Sequence, residues 1–420
     1  MSADRDEPTA AVASVLARLG AEDRSRLLAV LARRFHDLDL AEDVLADAMV
    51  RAMETWPRTG IPDRPAAWLL TVAKNRALDI VRGDAARARR LAALRIEDEI
   101  GTGAARDHSE DIVDSLGAAD IPDERLTLFF TCSHPTLRTG EHVALILRCL
   151  GGLSTAEVAA GFLVDTTTMQ QRLVRAKRRI RVTGIPFRRP TDKEVADRLP
   201  AVLRALYLIF TQGYVATTGM AHVRPELTAE AIRLTRVLAR LLPESTEVRG
   251  LLALFLLTEA RQPARSDSAG LPVPLSRQER SRWVSALIVE GLSLVTRAAG
   301  EPEAASYTIQ AAIAALHAEA ASFADTDWRQ IRVLYAMLTR LEPTPMVRLA
   351  EAVAIFRCDG PRAGLRALDA LPLEGHRPFH IARGIMLREH GDEAGAAAEA
   401  ARARKCPGND AESAFIDLDG

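Results

Sequence analysis

Cysteines, long apolar runs and targeting signals are scarce or absent in this sequence. Its four cysteines, Cys132, Cys149, Cys358 and Cys406, lie far apart and form no Cys-x-x-Cys pair, so a disulfide framework is not expected. No apolar run reaches the roughly 18 residues that a membrane-spanning helix needs, and the polar start MSADRDEPTA does not resemble a signal peptide. We therefore expect a cytoplasmic protein that does not enter a membrane.

Signatures of catalysis are also missing. The sequence has no P-loop, no Gly-x-Ser-x-Gly elbow and no Gly-x-Gly-x-x-Gly turn. Cys132 and His134 are soft metal ligands, but the nearest further candidates are His142 and Cys149, and a packed turn is the preferred interpretation. We predict that the protein is not an enzyme and that it has no metal site and no cofactor.

Aromatic residues are few, at 5%, and the formal net charge is only -1. Ala, Leu and Arg dominate instead, and because these residues lose little on entering a helix they favour an all-α fold. A hydrophobic content of 48% allows all 420 residues to be globular. A nucleic-acid binder with so little net charge has to concentrate its cations locally.

Hydrophobic periodicity, helix breakers and charge divide the chain into segments. Asp39 is expected to cap the helix LAEDVLADAMVRAME, and Pro65 is expected to lie in the first turn of the next helix. The predicted segments are a small helical domain over 1–95, an acidic flexible linker over 96–120, a second small helical domain over 121–185, and a C-terminal α-helical array over 186–420.

Two stretches near 343–406 resemble each other. GPRAGLRALDALP begins at Gly360 and GDEAGAAAEAARA begins at Gly391, and each follows an apolar helical stretch. A period of about thirty residues with Gly at the turn is typical of stacked tetratricopeptide-like hairpins. Ordinary antiparallel helices in an Ala-rich protein are the alternative.

Positive charge is concentrated in two stretches of the chain. One runs from Lys74 to Arg95 and the other from Arg172 to Arg189, with the acidic linker between them. This arrangement lets a nearly neutral chain carry two separate phosphate-binding faces. A solvated Arg-rich helix face is the alternative for either stretch alone.

The second basic stretch contains a helix-turn-helix pattern near residues 153–181. Ser154 or Thr155 is expected to cap the first helix, with Glu157 in the position that a capping box requires, and Asp165 or Thr166 to cap the second. Glutamine pairs with adenine, arginine with guanine, and threonine contacts the methyl group of thymine. The side chains of this kind at the start of the second helix are Thr168, Gln170, Gln171, Arg172 and Arg175.

Over residues 10–185 the sequence resembles the extracytoplasmic-function (ECF) sigma factors of the sigma-70 family. LAEDVLADAMVRAMETWP at 40–57 is similar to the helix that docks on core RNA polymerase. PAAWLLTVAKNRALDIVRGDAARARR at 65–90 is similar to the helix that reads the minus-ten element and captures a flipped base. Residues 121–181 are similar to the domain that binds the minus-thirty-five element, so the resemblance implies sigma region 2 over 1–95 and sigma region 4 over 121–185.

The resemblance also implies roles for particular residues. Asp43, Asp47 and Arg51 are implied to contact polymerase. The residues implied to contact promoter DNA are Lys74, Asn75, Arg76, Asp79 and Arg82 in the first domain, and Thr166, Thr167, Thr168, Gln170, Gln171, Arg172, Arg175, Lys177 and Arg178 in the second.

Later segments, among them FTCSHP, AVLRALYLIFTQGY and SRWVSALIVEGL, resemble a subgroup with a long helical C-terminal extension. Leu163 departs from the family, since many members have Gly in that turn, and a left-handed turn at Leu would cost about 1 kcal/mol. Ala350 and Glu351 also replace the usual Asn-Arg pair.

We predict a sigma factor that recruits core RNA polymerase to promoter DNA. Its C-terminal extension would regulate it in cis and bind a protein or small-molecule effector. A helix-turn-helix regulator with a helical effector domain is the main alternative, and a helical scaffold with a vestigial helix-turn-helix is another.

Overall fold

The computed structural model describes residues 11–16, 19–95, 123–162, 164–214, 224–268, 271–299 and 305–408, and residues 413 and 416. These residues are mostly helical, and the only β-structure among them is an isolated bridge between Ser266 and Pro272. The predicted all-α fold class is confirmed. The predicted linker over 96–120 and the turn at Leu163 lie outside the described residues.

The chain divides into two compact units, Met1–Ala205 and Leu206–Gly420. Both predicted DNA-binding segments therefore belong to the first unit. Its helices are α1 (residues 11–16), α2 (Ala21–Phe35), α3 (Leu38–Thr59), α4 (Pro65–Arg95), α5 (Arg125–Cys132), α6 (Thr139–Leu145), a π-helical turn (Ile146–Leu150), α7 (Thr155–Phe162), α8 (Thr166–Val182) and α9 (Asp192–Tyr214), within which the division falls.

Helix α3 begins at an aspartate cap. Asp37 has an extended backbone, and its Oδ1 accepts hydrogen bonds from the backbone N–H groups of Asp39 at 2.8 Å and Leu40 at 3.2 Å. The prediction that Asp39 caps this helix is wrong, because Asp39 already lies in its first turn. Helix α4 begins at Pro65 as predicted, where the missing N–H of proline costs nothing.

Helices α2, α3 and α4 pack on one another through apolar side chains. Near the end of α3, the buried ring of Trp56 packs edge to face on Trp68 of α4, with centroids 5.2 Å apart. Helix α2 also contacts α5 and the π-helical turn. The two predicted small domains thus share packed surfaces within the first unit.

A buried arginine reinforces this junction. The guanidinium of Arg125 on α5 lies 2.5 Å from Oδ2 of Asp123 and 3.2 Å from Oε2 of Glu22 on α2. Burial disfavours both charges of the Arg125–Asp123 pair, but their mutual attraction outweighs burial, so the pKa of Arg125 is raised and that of Asp123 is lowered. The pair stays ionised, and the ion pair of Arg125 with Glu22 joins α5 to α2.

The second unit continues as a series of contacting helices. They are α10 (Pro225–Leu241), α11 (Thr246–Glu259), α12 (Ser285–Ala299), α13 (Ser306–Glu319), α14 (Trp328–Leu341), α15 (Pro345–Asp359), α16 (Pro361–Leu368), α17 (Arg377–Glu389) and α18 (Glu393–Lys405). Short 3-10 turns at Gln262–Ala264, Leu275–Arg277 and Arg280–Arg282 separate α11 from α12. No helix in the described parts of the chain is long and apolar enough to cross a membrane.

The C-terminal helices form two contacting pairs, α15 with α16 and α17 with α18. Gly360 joins the first pair with a φ of 84°, and Gly391 lies in the second connection with a φ of 89°, a conformation that favours glycine. Phe356, Phe379 and Met386 belong to one buried cluster that spans α15 to α17. The helix pairs therefore occur around the two predicted turn glycines, whereas their tetratricopeptide character stays a prediction.

Candidate nucleic-acid interface

Helices α7 and α8 form the two arms of the predicted helix-turn-helix. Before α7, the N–H of Glu157 donates to Oγ of Ser154 at 3.2 Å, and the N–H of Ser154 donates to Oε2 of Glu157 at 2.7 Å. These two bonds are the capping box expected from the sequence. Before α8, Asp165 is the cap, and its Oδ1 accepts from the N–H of Thr168 at 2.7 Å.

Helix α8 has one buried side and one exposed side. Met169, Leu173, Ala176 and Ile180 recur at helical spacing and are buried. The predicted DNA contacts that lie exposed are Thr166, Thr167, Gln170, Gln171, Arg175 and Arg178, whereas Thr168, Arg172 and Lys177 are half-buried. The first half of α8 therefore presents side chains of base-reading size to solvent.

Three of these side chains are held by local contacts. The hydroxyl of Thr168 donates to Oδ2 of Asp165 at 2.5 Å, and hydrogen bonds from Thr168 lower the pKa of Asp165. The guanidinium of Arg172 lies over the ring of Phe162, 5.6 Å from its centroid, and Nε of Arg175 donates to the carbonyl of Gln171 at 3.2 Å. Gln170 and Gln171 make no such side-chain contact among the hydrogen bonds described.

The second half of α8 is bound to the acidic end of α3, by which we mean Asp37, Asp39 and Glu42. Nζ of Lys177 lies 2.8 Å from Oε2 of Glu42 and 3.1 Å from Oδ1 of Asp39, and the lysine side chain is 12% exposed. Burial opposes the ammonium charge, but the attraction of Glu42 and Asp39 outweighs it and raises the pKa of Lys177. Lys177 thus joins α8 to α3, and its predicted DNA contact requires this ion pair to open.

Two further arginines complete the contact with the acidic end of α3. Arg181 lies 3.2 Å from Asp37 through Nε and 2.5 Å from Asp39 through NH2, and Arg148 lies 3.5 Å from Glu42. Sequence reasoning missed this ion-pair group. Helical periodicity carries no signal for it, because Glu42 and Lys177 are 135 positions apart.

The residues predicted to contact polymerase lie further along α3. Asp43, Asp47 and Arg51 are all exposed, and their spacing of four places them on one side of the helix. Burial, followed by repulsion from Asp39, raises the pKa of Asp43. Oδ2 of Asp47 lies 3.0 Å from Nε of Arg76, one of the predicted DNA contacts, with both side chains 54% exposed.

The predicted minus-ten residues lie along the exposed part of α4. Asn75, Asp79 and Arg82 are exposed and follow helical spacing, whereas Lys74 is half-buried. Burial, followed by repulsion from Arg34, lowers the pKa of Lys74. The side chains beyond residue 87, including the last arginines of the first basic stretch, lie outside the described residues.

Cys132 is the last residue of α5, and His134 lies in the turn that follows. Cys132 is fully buried, and a hydrogen bond with Cys149, then burial, raises the pKa of its thiol. Nδ1 of His134 lies 2.9 Å from the hydroxyl of Thr136. The described residues contain no group of three or more His, Cys, Asp or Glu side chains that could hold a metal ion.

Comparison with known proteins gives two family matches and one relative of nearly the same length. Residues 21–87 match sigma-70 region 2, which covers α2, α3 and most of α4. Residues 198–299 match a family of unknown function, DUF6596. The uncharacterized protein R00370 of Rhizobium meliloti (strain 1021) is 40% identical over 395 residues, which cover 94% of this chain and 92% of that protein. No solved structure gives a significant match.

The match to sigma-70 region 2 supports a sigma factor, a class of non-enzymatic proteins that bind core RNA polymerase and promoter DNA in transcription initiation. The chain belongs to the sigma-70 family, and it belongs together with the Rhizobium protein over nearly the whole length of both.

Proposed function

We propose that the protein is a sigma factor of the ECF type that directs core polymerase to a promoter through two DNA contacts. Helix α4, most of which lies in the region 2 match, would bind the minus-ten element, and α8 would bind the minus-thirty-five element. The observation that carries this proposal is that α8 presents an exposed polar start next to a region 2 in one compact unit.

The exposed start of α8 suits base reading in a major groove. Gln170 and Gln171 are exposed amides, which pair bidentately with adenine, and Arg175 follows them by one helical turn. The later arginine Arg178 would lie over phosphates, where it fixes register without reading sequence.

On α4, the face that carries Asn75, Asp79 and Arg82 would bind the unpaired minus-ten strand. Polar and cationic side chains on this face suit contacts to unstacked bases and their phosphates. Polymerase would dock on the neighbouring face of α3 through Asp43, Asp47 and Arg51, all of which are exposed. Melting would then be driven by capture of flipped bases and would need no hydrolysis by this chain.

The second unit would regulate this activity in cis. Residues 206–420 lie outside both DNA-binding segments and include most of the match to a family of unknown function. A series of packed helices provides extended surfaces and pockets for a protein or small-molecule effector.

In vitro transcription with purified core polymerase tests the proposal, with transcript starts mapped on a genomic DNA library. We expect starts that appear only when this protein is added. The double variant Gln171→Ala/Arg175→Ala should reduce specific transcripts at least tenfold, since each lost base pairing costs about 1–3 kcal/mol. The matched control Arg362→Ala removes an exposed arginine from α16 and should leave transcription unchanged.

The same experiment separates the other functions. DNA binding without added transcripts would overturn the sigma-factor proposal in favour of a regulator that works without polymerase. Neither DNA binding nor transcription would favour a helical scaffold. Loss of transcription with Asp43→Lys/Asp47→Lys, at unchanged thermal stability and with loss of core binding, would support the polymerase face.

A further inference from the structure

Helix α8 carries an exposed apolar side chain in the middle of its polar surface. Val174 is 57% exposed, and the exposed residues around it, Gln170, Gln171, Arg175 and Arg178, are all polar or charged. Valine is a poorer helix former than alanine, because its branched side chain is restricted in a helix. The stability of the helix therefore gives no reason for a valine at this position.

Val174 lies on the line of α8 that points directly away from the protein. Four buried side chains recur at intervals of four, three and four residues: Met169, Leu173, Ala176 and Ile180. Four exposed side chains repeat these intervals two positions earlier: Thr167, Gln171, Val174 and Arg178. A helix turns by about 100° per residue, so a shift of two positions places the second line about 200° from the buried one. Val174 is therefore on the outermost line of the helix.

The position of Val174 along α8 is also within the part that we propose to read bases. Helix α8 begins at Thr166, and Val174 lies between Gln171 and Arg175, two of the proposed base-reading residues. Along the axis, Val174 follows Gln171 by about 4.5 Å, whereas stacked base pairs are about 3.4 Å apart. Its side chain therefore reaches a base pair one or two steps from the one that Gln171 reads.

The chemistry of the major groove limits what a valine can recognise there. Guanine, adenine and cytosine present hydrogen-bond donors and acceptors, whereas thymine presents an acceptor and its 5-methyl group. A valine side chain has no donor or acceptor, so against a polar base edge it would displace water without replacing the lost hydrogen bond. Against the methyl group of thymine it buries apolar surface on both sides. Thymine is therefore the base that suits this position.

We propose that Val174 is a specificity-determining residue and that it selects a thymine in the duplex bound by α8. Its methyl groups contact the 5-methyl group of a thymine one or two base pairs from the base pair read by Gln171. The inference deepens the proposed function and rests on it, because it requires α8 to lie in the major groove of the minus-thirty-five element.

Transcription by the full chain with core polymerase tests this contact on a promoter found by mapping transcript starts. Each thymine of the minus-thirty-five element is replaced in turn by deoxyuridine, which lacks the 5-methyl group and keeps the same hydrogen-bonding groups. At limiting holoenzyme, we expect one replacement to lower the transcript yield about fourfold, which corresponds to the burial of about one methyl group. Val174→Ala should lower the yield on the thymine template by a similar factor and lose nothing further with deoxyuridine, because the two changes remove the same contact.

Val333→Ala is the matched control for this experiment. Val333 is 60% exposed and lies on α14 in the second unit, so this variant should lose about fourfold with deoxyuridine, as the wild type does. Alanine is the better helix former at both positions, and we expect both variants to fold. Equal thermal unfolding temperatures for the two variants and the wild type check this.

Three outcomes would overturn the role of Val174. One is a minus-thirty-five element in which no deoxyuridine affects the wild type. Another is a deoxyuridine effect that stays the same in Val174→Ala, which would assign the methyl contact to a different side chain. The third is weaker binding of Val174→Ala to core polymerase with an unchanged preference for thymine, which would assign Val174 to a protein contact. Absence of transcripts from every template contradicts the proposed function and this inference with it, whereas transcripts without the coupling contradict the role of Val174 alone.

Discussion

In the second unit, the surroundings of the His317 side chain strongly lower its pKa. Its ring packs edge to face on Trp328 with centroids 5.2 Å apart, and its Nδ1 is buried without a partner among the described residues. Burial, followed by repulsion from Arg261 and Arg280, lowers the pKa of His317 to about 4. The ring is therefore neutral in the folded protein at pH 5, where an unfolded histidine is protonated.

We predict that His317 makes the protein less stable as the pH falls from 7 to 5. The unfolded state takes up a proton near its pKa of about 6.5 while the folded state does not, so stability contributed by neutral His317 is lost in this window, by about 2 kcal/mol. Urea unfolding at pH 7 and pH 5 measures this loss. His317→Gln should remove it, and His376→Gln, which changes an exposed histidine, should not. Equal pH sensitivity in wild type and His317→Gln contradicts the prediction.

Gly364 in α16 occupies a site where the helices approach too closely for a side chain. A Cβ there would lie 2.6 Å from Cβ of Phe356 and 2.8 Å from Sδ of Met386, whereas at Gly384 in α17 the nearest atoms would be 3.6 Å away. A Cβ at Gly364 therefore requires α15 or α16 to move, whereas a Cβ at Gly384 makes an ordinary van der Waals contact.

We predict that Gly364→Ala destabilises the second unit by about 1–3 kcal/mol, since overpacking a core has costs of this size. Gly384→Ala is the matched control and should be neutral or stabilise by about 0.5–1 kcal/mol, because alanine is the better helix former. Free energies of unfolding from urea titration give both values. A smaller loss for Gly364→Ala than for Gly384→Ala would show that the helix crossing is not as tight as the structure has it.

Helices α3 and α8 show where sequence reasoning succeeds and where it stops. The capping box at Ser154 and the start of α4 at Pro65 were predictable, because each depends on residues within one turn of the chain. The cap of α3 was misplaced by two positions, since Asp37 and Asp39 are equally good caps and only the backbone decides between them. The ion pair of Lys177 was not predictable. The sequence of a basic helix alone indicates contacts with DNA and does not reveal a carboxylate partner on a distant helix.

The Lys177–Glu42 ion pair between α3 and α8 is more deeply buried than the Arg76–Asp47 ion pair between α3 and α4. Its atoms lie 2.8 Å apart with side chains only 12% and 17% exposed, whereas the Arg76–Asp47 pair between α3 and α4 is 54% exposed on both sides. Water screens the attraction within the exposed pair strongly and screens the attraction within the buried pair only weakly.

We predict that Lys177→Met lowers the stability of the protein by about 2–3 kcal/mol, because it leaves Glu42 as a poorly paired, half-buried carboxylate. Arg76→Met is the control and should cost less than about 1 kcal/mol. Lys177→Met/Glu42→Leu should cost less than the sum of its two single changes, as a double-mutant cycle requires for coupled residues. Additive losses would mean that the two side chains do not interact in solution.

The net charge of -1 for 420 residues does not show that cationic side chains are arranged differently in the two units. In the first unit the cationic side chains are arranged along α4 and α8, some exposed and some bound to the acidic end of α3. In the second unit Arg277, Arg357 and Arg388 are among the residues that line one pocket. Every side chain that we propose to read DNA lies before residue 186, and the unit that we propose to be regulatory begins at Leu206.

This division predicts that promoter choice follows the first unit when the two units are exchanged between relatives. The Rhizobium protein is similar over 94% of this chain, and Gly184 and Pro190 lie in the connection before α9, where a junction leaves every helix whole. We expect a chimera with residues 1–190 of this protein and the remainder of the relative to start transcripts at the promoters of this protein. The reciprocal chimera should use those of the relative, because base contacts specify the sequence and phosphate contacts do not. Mapping transcript starts on one mixed template measures both, and starts that follow residues 191–420 would place promoter recognition in the second unit.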